Sequence, residues 1–409
     1  MFKPIFIFTA MMILFIYGKS QSTHSLGNSK NNPSEKVDST QIDVNDVLAK
    51  IFKKKKVKEK KIKPIRNFQA AFLPTVGYSL QTGFSFVYTG NVTFSTNRKD
   101  SSQKLSSIYA GITYSLQNQI ILPTIANIWT KNNKYNIILD NRFIQYPDYV
   151  FGVGDATSKT KEYRTFFSML RMHESILREV KPNLYLGAGF MHDNIWNISG
   201  FDSINKVINP ASTKKVKREI ATGLALRFLF DSRLNQVNAK KGFYSNIVFR
   251  KNLTALGSDE TWGYLTTDTR AYIPFPKNSN NVLAFWNYNM ITYGGNNVSN
   301  FLLPSNGWDD THNTGRGNIQ GRFRGRNMFA FETEYRFSLT KNGLLGATVF
   351  GNVQHFDNQF FYNSGFLKPG GGVGLRIKFN KHSNTNVCID YGFGQGGSRG
   401  FFVNVGEVF

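Results

Sequence analysis

The chain carries one cysteine, Cys388, so it cannot form an internal disulfide, which argues against a small disulfide-stapled secreted domain. Its six histidines are His24, His173, His192, His312, His355 and His382; no two have the spacing of a helical zinc pair, and no cysteine clusters with them. A G-x-S-x-G elbow and a phosphate loop ending in Gly-Lys-Ser/Thr are both missing. Gly392, Gly394 and Gly397 fit G-x-G-x-x-G, but they fall between two strand-like segments with no helix after them. Those glycines are read as shaping a hairpin. A barrel-embedded lipase built on a Ser and a His finds no supporting spacing. The inventory points away from an enzyme and calls for no metal and no cofactor. After the N-terminal segment, no stretch has eighteen uninterrupted apolar residues, so any membrane crossing must use strands.

What the chain does have is aromatic residues: 37 Phe and 18 Tyr among 409 residues. Mean hydropathy is nevertheless slightly negative, at −0.31. A soluble domain of that polarity has little use for so many Phe. A barrel does, because its apolar side chains face lipid while its interior stays polar.

Residues 1–25 read as a signal peptide for export. Lys3 supplies the positive start, Pro4–Gly18 is uncharged and mostly apolar, and Lys19-Ser20-Gln21-Ser22 follows. Residues 26–66 are rich in Asn, Ser, Asp and Lys and read as a flexible, Lys-rich periplasmic tail, with a short helix allowed around Ile42–Phe52. The formal net charge is +24, and Lys50 to Arg66 holds ten basic residues and one acid, 10 − 1 = +9. Two readings of this run stand: a basic arm that grips anionic lipid headgroups or an acidic partner, and a solvated charge run that keeps the segment unfolded. Nucleic acid is not expected for an exported chain.

From residue 67 to residue 409 aromatic and β-branched segments alternate with Gly, Asn, Ser and Asp. In Phe329–Phe337 one face carries Phe329, Phe331, Thr333, Tyr335 and Phe337, and the other Ala330, Glu332, Glu334 and Arg336. In Gly371–Phe379, Val373, Leu375, Ile377 and Phe379 oppose Gly372, Gly374, Arg376 and Lys378. A strand sorts charge onto one side in this way, whereas a helix spreads it round its circumference. Sixteen such segments can be marked, from 68–77 to 401–409. Many have the length a tilted strand needs to cross hydrocarbon. The expectation is an all-β chain: a closed antiparallel transmembrane β-barrel of about 16 strands, closed because an open edge in lipid leaves backbone groups unpaired. Gly294–Gln320 has no strand character and is too long for a hairpin turn, which marks it as a functional or disordered loop.

Several segments carry a likeness to a known family. They are Leu73–Gly83 (LPTVGYSLQTG), Asp231-Ser232-Arg233 with Lys241-Gly242, Arg316-Gly317 followed by Gly321-Arg322-Phe323-Arg324, Phe331–Phe337 (FETEYRF), Gly370–Arg376, Asp390-Tyr391-Gly392 and the ending FFVNVGEVF. Together they resemble the bacterial surface antigen barrels of the BamA/TamA superfamily, outer-membrane assembly and translocation barrels. The resemblance implies that the long loop folds into the lumen with Arg316 and Gly317 at its tip, Arg324 being a second candidate for the tip arginine. Its acidic wall partners would be Glu332, Glu334 and Asp390. Gly315 and Asn318 stand where the family usually has an apolar and an aromatic residue, and Gly351 and Asn352 where many members carry an Asp.

The resemblance also bears on the C-terminal end. Phe401, Val403 and Val405 share a face with Phe409 in an extended strand, and the aromatic ending is similar to the signal by which such barrels are recognised for insertion. Gly406 matches a glycine that weakens pairing of the last strand with the first, leaving a seam that can open; it can equally be a bulge. About 40 residues separate the signal from the barrel, so no family-type periplasmic domain fits there, and that role is expected to be missing or supplied by another chain. Two functions follow. One is an outer-membrane barrel that assists protein insertion, translocation or lipid remodelling, with outer-membrane lipids and periplasmic or outer-membrane proteins as partners. The alternative is a passive channel or structural barrel.

Overall fold

The computed structural model describes residues 41–51, 68–79, 83–97, 103–154, 163–199, 218–233, 235–309, 312–358, 367–381 and 384–409. The signal segment and most of the Lys-rich stretch lie outside the described residues. Within that stretch stands one helix, α1 (Val44–Ile51), inside the window the sequence allows. Asp43 and Asp46 cap its first turn reciprocally, each backbone N–H donating to the other's carboxylate at 3.1 Å. The same two acids tie the helix to the barrel. Lys381 N donates to Asp43 Oδ2 at 3.1 Å and Lys381 Nζ pairs with Asp46 at 2.8 Å.

The sheet begins with β1 (Phe68–Ser79), β2 (Gly83–Phe94), β3 (Ser106–Ser115), β4 (Ile120–Trp129), β5 (Tyr135–Val150) and β6 (Tyr163–Lys181). It continues through β7 (Leu184–Ser199), β8 (Arg218–Asp231), β9 (Gly242–Asn252), β10 (Trp262–Pro274) and β11 (Val282–Gly294). After a long loop come β12 (Asn327–Ser338), β13 (Leu345–Asp357), β14 (Lys368–Asn380), β15 (Thr385–Gly394) and β16 (Arg399–Val405). Each strand pairs antiparallel with its sequence neighbours, so the order in the single sheet is β1 to β16. β16 lies beside β1, bringing the two ends of the sheet together as a barrel.

Period-two alternation fixes which side chains face out. Phe84, Phe86, Tyr88, Leu224, Leu226, Val349 and Val373 are all exposed on the outer surface. Glu332, Glu334, Arg336 and Arg376, from the opposite faces, are buried in the lumen. In these strands the arrangement puts the charges on the lumen side, and the backbone is hydrogen-bonded from strand to strand.

The lumen is filled rather than open. Trp129, Leu177, Tyr185 and Leu229 pack together toward the end that carries both termini of the barrel. Lys104, from the β2–β3 turn, inserts its ammonium 4.5 Å from the Trp129 ring and 5.2 Å from that of Tyr185. Higher up, loop residues Leu302, Leu303 and Val298 pack on Ile144, Tyr146, Phe167 and Met169 of β5 and β6.

The end of the chain departs from the sequence expectation. β16 stops at Val405 instead of running to Phe409, because Gly406 adopts φ +93°, a conformation natural to glycine, and turns the backbone inward. Phe401, Val403 and Val405 stay on the outer face, whereas Phe409 is 4% exposed and stacks on Trp286 with ring centroids 5.2 Å apart. The two sets therefore do not share a face.

Candidate functional site: the loop tip in the barrel lumen

The loop 295–326 between β11 and β12 folds back into the barrel and is stitched to itself before it meets the wall. Ser305 and Arg324 form an isolated bridge between its two limbs. Asn306 N donates to Phe323 O at 3.1 Å, and Gly321 N donates to Asn306 O at 2.9 Å. Asp309 Oδ1 accepts from both Thr314 N, at 2.8 Å, and Thr314 Oγ1, at 2.7 Å, rounding off the turn that presents the tip.

At the tip, Arg316 is 1% exposed and is held by three acids on two strands. Its Nε donates to Glu332 Oε1 at 3.0 Å. Nη2 pairs with Glu332 and Glu334, and Nη1 with Asp390. The Phe350 ring lies 3.8 Å below the guanidinium carbon. Asn352 Nδ2 donates to Arg316 O at 2.9 Å, fixing the backbone as well as the side chain. The structure thus brings together the four residues Arg316, Glu332, Glu334 and Asp390 that the resemblance implied.

Gly317 lets the tip press against β15. A Cβ there would sit 2.3 Å from Phe393 O, and φ is +102°. On the strand side, a Cβ on Gly392 would meet Gly317 Cα at 2.8 Å, and one on Gly394 would meet Asn318 Oδ1 at 2.3 Å. Gly392 and Gly394 therefore serve as a bare landing surface for the loop. Only Gly397, at φ +76° with nothing close to its Cβ position, fits the hairpin role the sequence suggested for all three.

Arg324 does something different from the expectation. Its Nη2 pairs with Asp148 of β5 at 3.0 Å and its Nη1 reaches Asn300 O, so it does not take part in the Glu332, Glu334 and Asp390 cluster. The reason is the bridge to Ser305, which places Arg324 on the returning limb, facing β5 rather than β12. Tyr146 OH donates to Gln320 Oε1 at 2.9 Å and Arg142 Nη1 meets His312 Nε2 at 2.6 Å on the same wall. Since β5 lies seven strands from β12 in the sheet order, the loop is fastened to two well-separated parts of the barrel.

Sequence reasoning missed the second layer of the cluster. Arg336 Nε donates to Glu334 Oε1 at 2.5 Å. Arg376 donates to Asp390 Oδ1 at 2.5 Å through Nη1 and to Glu407 Oε2 at 2.8 Å through Nε. Alternation did put Arg336 and Arg376 on the same polar face as the acids, and that signal could have found them. Glu407 could not be found that way, because it enters the lumen only through the turn at Gly406. Past that turn, Asn313 of the loop donates to Val408 O at 3.2 Å and accepts from Asn404 Nδ2 of β16 at 3.2 Å. Gly406 and Phe409, expected together at the seam, thus divide: Gly406 follows the end of β16 and Phe409 belongs to the lumen.

Among known families and curated proteins, none matches this sequence. Solved structures do match. BamA from Haemophilus ducreyi lacking POTRA domains 1–3 superposes with a TM-score of 0.54 at 15% identity, covering 83% of this chain and 70% of that one. CdiB from Acinetobacter baumannii gives 0.53 at 10% identity, covering 84% and 60%. CdiB from Escherichia coli gives 0.52 at 10% identity, covering 84% and 63%. The fold is shared with the BamA and CdiB barrels. This chain spans less than two thirds of either CdiB chain. At such identities the likeness is one of architecture, and function must be argued from the site.

Proposed function

We propose that the chain is an outer-membrane barrel of the BamA/TamA type that assists protein insertion, translocation or lipid remodelling, working with partner proteins. In this reading residues 1–25 direct export, residues 26–66 lie on the periplasmic side, and the loop is a latch on a seam between β1 and β16. The observation that carries it is the grip of Asn313 on both Asn404 of β16 and Val408 beyond it. The loop tip that Arg316 locks to the wall also holds the last strand, so releasing the tip and freeing the seam are one event.

The strand lengths support the same reading. β16 has 7 residues against 12 in β1, so β16 has too few residues to pair all of β1 and part of that edge is left without a partner from it. A short final strand is the natural place for a sheet to part. The filled lumen argues for this latch reading over a passive pore.

The test is a disulfide between cysteines introduced in β1 and β16, assayed in proteoliposomes that promote folding of a denatured outer-membrane barrel. Oxidation should abolish the promotion and reduction restore it, with the protein inserted at wild-type level. Full activity of the oxidised form would remove the seam from the mechanism.

A further inference from the structure

Beneath the loop tip lies a cavity of about 10 Å³, walled on one side by Trp286, Tyr288 and Ala330 and on the other by Glu332, Asn352 and Gln354. Four side-chain atoms of these residues have no protein hydrogen-bond partner: Glu332 Oε2, Asn352 Oδ1, and both Oε1 and Nε2 of Gln354. The three side chains are 3%, 7% and 1% exposed, so bulk solvent does not reach them. A buried donor or acceptor left bare is costly, and native interiors seldom tolerate several side by side. Two of these groups cannot turn away. Glu332 Oε1 is held by Arg316 Nε at 3.0 Å, and Asn352 Nδ2 by Arg316 O at 2.9 Å.

We propose that one water molecule is bound in this cavity as a built-in part of the loop anchorage. It accepts from Gln354 Nε2 and donates to Glu332 Oε2 and Asn352 Oδ1. The space suits a single water, which needs roughly 10–15 Å³ and two to four polar partners. The surroundings disfavour other small guests. A cation would meet the Gln354 amide N–H and share Glu332 with the Arg316 guanidinium, and no group of three or more His, Cys, Asp or Glu among the described residues could hold a metal. An anion would face the Glu332 carboxylate. Water donates and accepts at once, which matches the one donor and two acceptors placed round it.

Gly315 lets the Gln354 amide lie directly against the loop backbone beside the cavity. A Cβ at that position would lie 2.2 Å from Gln354 Oε1, and φ is +74°. The bound water fixes the free ends of Glu332 and Asn352, whose other ends meet Arg316, and ties Gln354 to them. It thereby prepares the wall for the tip. This inference stands on the cavity and its lining, and is independent of what the barrel does.

A structure of the full-length barrel at a resolution that shows ordered solvent tests it, paired with the variant Gln354→Leu. The expected result is one density peak within hydrogen-bond distance of Glu332 Oε2, Asn352 Oδ1 and Gln354 Nε2. In Gln354→Leu the peak should be lost and the melting midpoint lowered by a few degrees, with the Arg316–Glu332 pair still formed. A cavity closed by rearranged side chains would overturn the proposal, as would a peak surrounded by oxygens at metal-ligand distances. So would a Gln354→Leu protein that melts at or above the wild-type temperature.

Discussion

Asp148 of β5 and Arg324 of the loop, 176 residues apart in sequence, are ion-paired at 3.0 Å inside the barrel. Arg316, only eight residues before Arg324, is bound to β12 and β15 instead. The loop is therefore a strut between two walls, with a separate ionic foot on each.

If the feet are separate, their energies should be separable too. A double-mutant cycle on Arg324→Ala and Asp148→Ala is expected to give a coupling of about 0.5–3 kcal/mol in unfolding. The cycle of Arg324→Ala with Glu332→Gln should give values that add. Strong coupling in the second cycle would show that the two feet form one unit.

Arg316 is the most heavily bound cation of the loop. Arg316→Ala leaves Glu332, Glu334 and Asp390 short of one positive charge in a confined space, and is expected to destabilise the barrel by about 3–5 kcal/mol. Arg316→Lys should recover part of this, since an ammonium supplies the charge but lacks the planar fork that reaches three acids. Thermal unfolding in detergent, followed by gel mobility with and without heating, reads both. Equal stability of Arg316→Ala and wild type would make the pairing incidental.

Close approach at the tip gives a second handle. Gly317→Ala places a methyl group 2.3 Å from Phe393 O and forces alanine to φ +102°. The tip should lift from β15, and the loop should become sensitive to protease added to intact proteoliposomes. Wild-type resistance in that assay would mean the tip seats by another route.

Phe409 is buried against Trp286 and Tyr272. Phe409→Ala is expected to lower the stability of the folded barrel by about 3–5 kcal/mol, the usual cost of emptying a large aromatic site. A Phe409 that acted only before folding would slow insertion and leave the melting midpoint of the inserted protein unchanged, so measuring both separates the two roles.

A lumen packed by the loop, the Lys104 turn and Phe409 should conduct poorly. Planar-bilayer recordings are expected to show small, erratic openings, and deletion of residues 295–326 should convert them to larger steady ones. A large steady conductance from the intact protein would favour the passive-channel alternative.

Much of this was legible before any coordinates. The faces of β12 were readable because a strand's period of two holds wherever one side meets oil and the other does not. The pairing of Arg316 with Glu332, Glu334 and Asp390 could be anticipated through resemblance, since those acids share the polar face. Arg324, the second candidate for the tip, could not be placed from sequence, because nothing in its neighbours reveals that it lies on the returning limb of the loop and meets Asp148. Gly392 and Gly394 looked like turn residues, and their reason for being glycine is a loop 75 residues upstream that needs bare backbone to land on.

The sequence by itself determined the alternation, and with it an antiparallel sheet whose strands carry apolar side chains outward and charges inward, because that pattern is local and repeats every two residues. Only the tertiary structure decided which inward charges meet. Partners such as Glu407 and Arg376, or Arg324 and Asp148, depend on one glycine turning the chain end inward and on which limb of a folded loop faces which wall, and such distances are set by the closed barrel as a whole.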